Sequence, residues 1–173
     1  MARLPRKLDP TGLWDYALRA LGRRALAAGE LRVRLEARAE TPDLVAPVMA
    51  KLGEYGYLDD ARFADSYTRA RLENEGLGRQ RVLRDLRLRR VPQATAEAAV
   101  QKAFDPVDET ALIEAFLRRK YRGVNLAEEL KQPAKLASAY RKLRYAGFSG
   151  GRSIAALKRY SDRAEELEDE PEV

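Results

Sequence analysis

Three segments of the chain share one apolar spacing. Leu31-x3-Leu35-x3-Ala39, Val82-x3-Leu86-x3-Arg90-Val91 and Ala139-x3-Leu143-x3-Gly147-Phe148 follow one another at intervals of 51 and 57 residues. Apolar residues four apart share one face of an α-helix, and a helical pattern that returns at a near-constant interval marks a repeat protein. The helices before these segments correspond too, through the i, i+4 pairs Leu13–Ala17, Phe63–Tyr67 and Leu112–Phe116. The expected architecture is three tandem three-helix repeats, over 13–58, 59–104 and 105–161, forming an elongated, curved solenoid. A single irregular helical bundle is the alternative. Residues 1–12 read as a flexible basic lead-in and 162–173 as an acidic tail.

Residue types agree with an all-α chain. Val, Ile and Thr number only 16 of 173 residues, too few to cover the pleated faces of a sheet, whereas Ala, Leu, Arg, Glu and Lys supply 101. Nine helices are expected between the breakers. Thr11 is the expected cap of the first, whose inner face carries Trp14, Ala17, Leu18, Leu21 and Ala25 up to the break at Gly29. Thr41-Pro42-Asp43 opens the third, which Gly56 ends, and the Asp59-Asp60 pair caps the fourth. Further breaks fall at Gly76-Leu77-Gly78, Pro92, Asp105-Pro106, Gly123 with the loop through Asn125 and Pro133, and Gly147 to Gly151.

The chain has no Cys and no His. Disulfides, thiol chemistry, imidazole general bases and nearly all zinc sites are thereby excluded, and no cofactor or metal is expected. No apolar run is long enough to span a bilayer, so a cytoplasmic protein without membrane attachment is expected. Asp59-Asp60 and Glu128-Glu129 are adjacent residues pointing about 100° apart on a helix, which suits capping and solvation better than a carboxylate dyad. Ala146-Gly147-Phe148-Ser149-Gly150-Gly151-Arg152-Ser153 approaches a phosphate-loop pattern, with Ala in place of the first Gly and Arg in place of Lys. It follows a helix rather than a strand, so the glycines are expected to end one helix while Ser149 or Ser153 helps start the next.

Charge is the stronger signal. The formal net charge is +6, but seven acids against Arg163 in the tail leave +12 on residues 1–161, and Arg outnumbers Lys by 25 to 8. Arginine's planar fork suits phosphate and carboxylate partners. Arg81, Arg84 and Arg87 are expected on one outward stripe opposite Val82 and Leu86. Arg152 and Arg159 oppose Ile154 and Leu157 on the last helix. Arg141 shares an outward face with Tyr145, near Arg144; the tyrosine is expected to pack against an adjacent helix, with stacking on a base or packing on a partner as the alternatives. No DNA-reading motif accompanies these residues, so nucleic-acid contact should be sequence-independent. With about six phosphates of a single strand contacted, log affinity would fall against log salt with a slope of about −4.

Three stretches resemble the RecX family, bacterial regulators of the RecA recombinase. They are Leu52-x2-Tyr55-Gly56-Tyr57-Leu58-Asp59-Asp60-x-Arg62-Phe63-Ala64, Gly76-x2-Arg79-x2-Val82-x3-Leu86 and Leu143-x3-Gly147-Phe148-Ser149. With the helix order they span about 13–160. The resemblance implies a non-enzymatic monomer that docks on the RecA–DNA filament and modulates, chiefly by inhibition, its ATPase, strand-exchange and coprotease activities in DNA repair and the SOS response. It implies structural roles for Gly56, Tyr57, Leu58, Asp59, Asp60, Phe63 and Ala64. The sequence departs from the family pattern at Ala25, in the extra residues around 123–133 and in the acidic tail. Single-stranded DNA, and with it double-stranded DNA, is the nucleic-acid partner expected beside the RecA filament. Two other readings stay open: a module that coats single-stranded nucleic acid without a protein partner, and a scaffold for another protein.

Overall fold

The computed structural model describes residues 7–169, and these are all-α, with no strand among them. Ten α-helices follow in order: α1 Pro10–Arg23, α2 Ala28–Glu36, α3 Val45–Glu54, α4 Asp60–Ala70, α5 Arg79–Leu88, α6 Gln93–Phe104, α7 Glu109–Lys120, α8 Leu126–Glu129, α9 Pro133–Tyr145 and α10 Gly150–Leu157. Short 3-10 segments precede α3 (Pro42–Leu44) and follow α10 (Asp162–Asp169), and a π-helical turn, Arg71–Glu75, ends α4.

The chain forms two compact units. The first comprises residues 1–66 and 86–99, the second 67–85 and 100–173, so the division falls inside α4, α5 and α6. In the first unit Leu13 and Ala17 of α1, Leu31 and Leu35 of α2, and Val45 and Leu52 of α3 form the core. In the second, Ile113 and Leu117 of α7 pack with Leu143 of α9, Phe148, and Ile154 and Leu157 of α10.

The shared apolar spacing marks the buried face of α2, α5 and α9: Leu31, Leu35, Ala39, Val82, Leu86, Val91, Ala139, Leu143 and Phe148 are all buried. The i, i+4 pairs of the preceding helices correspond less closely. Leu13 and Ala17 are fully buried, but in α4 and α7 the most buried pairs are Ala64–Thr68 and Ile113–Leu117. Phe63, Tyr67, Leu112 and Phe116 are only half-buried. One residue turns a helix by about 100°, so the bulky rings flank the contact while smaller side chains form its centre.

Within each unit, the start of one helix meets the end of another. The N–H groups of Gly78 and Gln80, at the start of α5, donate to the carbonyls of Ala146 (2.8 Å) and Gly147 (3.1 Å) at the end of α9. Unsatisfied donors of one helix thus meet unsatisfied acceptors of another, and the opposite ends of two helix dipoles face each other. This approach requires two glycines. A Cβ on Gly78 would overlap the Gly147 carbonyl, and one on Gly147, itself at φ +93°, would overlap the Arg81 backbone. The first unit repeats the arrangement, with Gly29 at the start of α2 lying where a Cβ would sit 2.6 Å from the Arg90 carbonyl oxygen, past the end of α5. Arg90 corresponds to Gly147 in the repeated pattern and holds the same left-handed backbone, at φ +61°.

Local details differ from the sequence expectations. Asp9, not Thr11, caps α1, accepting from Gly12 N–H at 2.8 Å with Pro10 in the first helical turn. Residues 1–6 of the expected flexible lead-in lie outside the described residues, while Leu8 exchanges backbone hydrogen bonds with Arg38 (2.7 Å) and Glu40 (3.1 Å). Leu8 is therefore tied down before α1 begins. α1 ends at Arg23, leaving Ala25 exposed in the connection to α2. The loop expected after Gly123 contains α8, capped by Asn125, and Leu130 behind it is fully buried. Part of the acidic tail is structured as well, since Ala164 and Leu167 of the closing 3-10 segment lie in the second core. Residues 170–173 lie outside the described residues.

The Asp59-Asp60 pair caps two helices. Asp59 accepts from Arg62 N–H at 2.9 Å and starts α4, as expected. Asp60 reaches back across 32 residues to accept from Ala28 N–H at 2.7 Å, capping α2, whose own N-cap residue, Ala27, has no side chain able to do so. Replacing Asp60 by Ala should lower stability by about 1 kcal/mol, read by chemical denaturation, whereas Asp60→Asn should retain most of it.

Candidate nucleic-acid interface

The outward stripe expected on α5 is broken by Arg81. Its neighbour Val82 is buried, and Arg81 lies half-buried beside it, with Nε donating to Asp85 Oδ1 at 3.0 Å. The guanidinium sits 4.7 Å from the Tyr145 ring centre and donates to the Tyr145 carbonyl at 3.4 Å. The Asp85 hydrogen bond, with smaller opposition from burial, holds Arg81 still more firmly in its charged form than an ordinary arginine. Arg81 therefore fastens α5 to the end of α9. Arg84 and Arg87 are exposed, with Arg87 3.7 Å from Glu97.

Tyr145 is 62% exposed and lies under Arg81. Arg144 is half-buried and donates to the Phe148 carbonyl at 2.7 Å, closing the turn after α9, while Arg141 is exposed. Arg152 and Arg159 do not form a stripe on one helix. α10 ends at Leu157, and Arg159, beyond it, forms an ion pair with Glu114 of α7. Arg152, exposed on α10, lines a cleft of about 460 Å3 with Arg79, Asp105 and Asp108. The cleft has the starts of α5, α7 and α10 on its wall, but the α5 donors are taken by the carbonyls of Ala146 and Gly147, and carboxylates occupy the other two. Asp108 caps α7 through Thr110 N–H at 2.9 Å, and Glu109 accepts from Ser149 N–H (2.8 Å) and from its hydroxyl (2.9 Å). The phosphate-loop-like glycines thus precede a helix whose anion is Glu109, and Ser149 serves as a donor to it rather than as a side-chain cap.

Of the motif residues, Ala64 is buried, Leu58 and Phe63 are partly buried, and Gly56 lies at the left-handed turn that closes α3. Tyr57 is 51% exposed and joins Tyr55 and Trp14 in a surface cluster, with ring centres 5.8 Å (Trp14–Tyr55) and 6.2 Å (Trp14–Tyr57) apart. Lys51 lies 4.7 Å from the Trp14 ring centre.

A second basic region lies in the first unit and was absent from the sequence-derived candidates. Arg19, Arg23 and Arg24 of α1 and its end converge with Arg34 of α2 on one groove walled by Tyr16. Its signal in the sequence was the i, i+4 arginine pair 19/23 on α1 and Arg34 on α2, helices whose convergence only the tertiary structure supplies.

The fold and surface define a class: an all-α repeat protein that presents arginine-rich surface, with no cluster of metal-ligating side chains among the described residues. The family model described as RecX, second three-helix domain, matches residues 59–100. The regulatory protein RecX of Deinococcus radiodurans is 35% identical over 150 residues, covering 87% of this chain and 69% of its own. That of Vibrio vulnificus is 34% identical over 135 residues, covering 78% of this chain and 84% of its own. The crystal structure of RecX from Lactobacillus salivarius shares the fold, with a TM-score of 0.66 at 18% identity over 87% of this chain and 96% of that one. The chain belongs to the RecX family of regulatory proteins.

Arg81→Ala should cost about 1–2 kcal/mol in thermal or denaturant unfolding, because it removes a charge-assisted hydrogen bond and a cation–π contact. Arg84→Ala, at an exposed position of the same helix, should stay within about 0.5 kcal/mol of the parent.

Proposed function

We propose that the protein regulates the RecA recombinase by binding the RecA–DNA filament, acting as a monomer in the cytoplasm and without catalysis. The observation that carries this reading is family membership across most of the chain, since the relatives it matches are named regulatory proteins. The charge distribution supports it. A body of net +12 over residues 1–161 suits a partner that is itself a polyanion bound by protein. Among the candidate contacts, Arg84, Arg87, Arg141, Tyr145 and Arg152 are exposed, Arg87 beside Glu97 and Tyr145 beneath Arg81, while Arg81 and Arg144 are half-buried and Arg159 is paired with Glu114. The exposed residues of each unit are the proposed contacts.

Inhibition of ATPase, strand exchange and coprotease function would follow if binding favours one filament state over another. The shift can be no larger than the difference in binding free energy between the two states, so moving a filament from 1:99 to 99:1 requires about 5.5 kcal/mol of discrimination. Sequence-independent coating of nucleic acid is the competing reading, and salt separates the two. Coating fades steeply with added salt and strikes any protein on the strand. Specific docking keeps a salt-resistant part.

ATP hydrolysis by the RecA of the same organism on single-stranded DNA, titrated with this protein across a salt series beside an unrelated DNA-dependent ATPase, tests the proposal. Selective suppression well below one protein per RecA protomer is expected. No change, or equal suppression of both ATPases that vanishes with salt, would overturn it.

A further inference from the structure

The groove in the first unit has an unusual charge balance. Arg19 and Arg23 lie one turn apart on α1, Arg24 follows the helix end and Arg34 projects from α2, all lining about 250 Å3 beside Tyr16. Among the described residues Glu30 is the carboxylate that ion-pairs with the groove's arginines, and it is shared by Arg24, Arg34 (3.3 Å) and, outside the groove, Arg89 (3.4 Å). Arg19 and Arg23 make no ion pair among the described residues and are exposed. The C-terminal dipole of α1 explains a cation in its last turn, but neither Arg19, which lies before that turn, nor Arg34 on the other helix. Arg38, one turn beyond Arg34, is stacked 4.6 Å from the Tyr16 ring centre, which extends the α2 row along the same wall.

We propose that this groove binds the phosphodiester backbone of a nucleic-acid strand. Two arginines at i, i+4 stand about 5–6 Å apart at Cβ, a spacing from which long side chains reach successive charged groups on an extended polyanion. Guanidinium forks pair bidentately with phosphate oxygens, and contacts of this kind carry affinity without reading sequence. The partner is a strand rather than an isolated anion, since the free cations Arg19 and Arg23 are spaced a turn apart along α1, with Arg34 of α2 across the groove, instead of converging on one point. The site is separate from the proposed RecA-binding function and needs no recombinase.

The test is fluorescence anisotropy of labelled single-stranded and duplex oligonucleotides with the full chain alone, from roughly 50 to 200 mM salt. Arg19→Ala/Arg23→Ala removes two exposed, unpaired cations and should leave the circular dichroism spectrum unchanged. It should reduce the steepness of the log affinity against log salt plot by about 1.4 for a single strand, or about 1.8 if duplex is the preferred form. Arg19→Lys/Arg23→Lys should restore the parental slope. Lys120→Ala/Arg122→Ala, an equal charge loss at exposed positions of the second unit, should change it less. Absence of binding by the parent, an unchanged slope in Arg19→Ala/Arg23→Ala, an equal change in Lys120→Ala/Arg122→Ala, or displacement of DNA by a polyglutamate peptide at equal charge concentration would each overturn the assignment. Because RecA is absent from the assay, its outcome is independent of the regulatory reading.

Discussion

Two backbone approaches, each made possible by a missing side chain, organise everything else in this molecule. At Gly78 and Gly147 the start of α5 lies against the end of α9, and at Gly29 the start of α2 lies against Arg90, past the end of α5. Short three-helix units bury too little surface to persist alone, so a repeat protein depends on its neighbour contacts. Here those contacts use main-chain groups that every helix must satisfy somehow: leading N–H donors and trailing carbonyls. In the second unit, Gly78 and Gln80 donate directly to the end of α9. In the first, Gly29 makes the approach while Asp60 supplies the missing acceptor to Ala28.

The same economy governs the arginines. A chain with 25 of them does not hold 25 equivalent binding groups. Arg81 bridges Asp85 and Tyr145, Arg144 closes a turn, and Arg159 is paired with Glu114. Each of these lies where a helix end needs an interaction, and each is unavailable to a polyanion without loss of that interaction. Arg84, Arg87 and Arg152 in the middle and last helical segments, and Arg19 and Arg23 in the first, keep their guanidiniums at the surface. Helix capping by carboxylates reinforces the division, since Glu109 holds the start of α10, where glycines alone suggested a phosphate site.

Periodicity and punctuation were legible in the sequence. The all-α class, the buried faces of α2, α5 and α9, the stop at Gly56 and the cap at Asp59 all follow from local chemistry, because each involves residues within one or two turns of each other. What was not legible depended on distance. Asp60 acts 32 residues from its own position, and Arg159 pairs with a helix 45 residues earlier. The groove of Arg19, Arg23 and Arg34 exists only where two helices converge, and Arg81 left the outward stripe because the end of α9 offers it a ring and a carbonyl. The structured part of the acidic tail was hidden for another reason: Ala164 and Leu167 share a helical spacing but are only two apolar residues among acids, too few to announce a buried face.

The contacts proposed for this protein rely on its helical units holding their surfaces in place, and the glycine approaches are the proposed basis of that support. Thermal unfolding of Gly78→Ala beside Gly22→Ala measures this most directly. Gly22 lies inside α1 with open space where its Cβ would go, so Gly22→Ala should raise stability by about 0.5–1 kcal/mol, a gain of a few degrees. Gly78→Ala forces a side chain against the Gly147 carbonyl and should lose at least about 2 kcal/mol. Equal or higher melting temperatures in both variants would contradict the account.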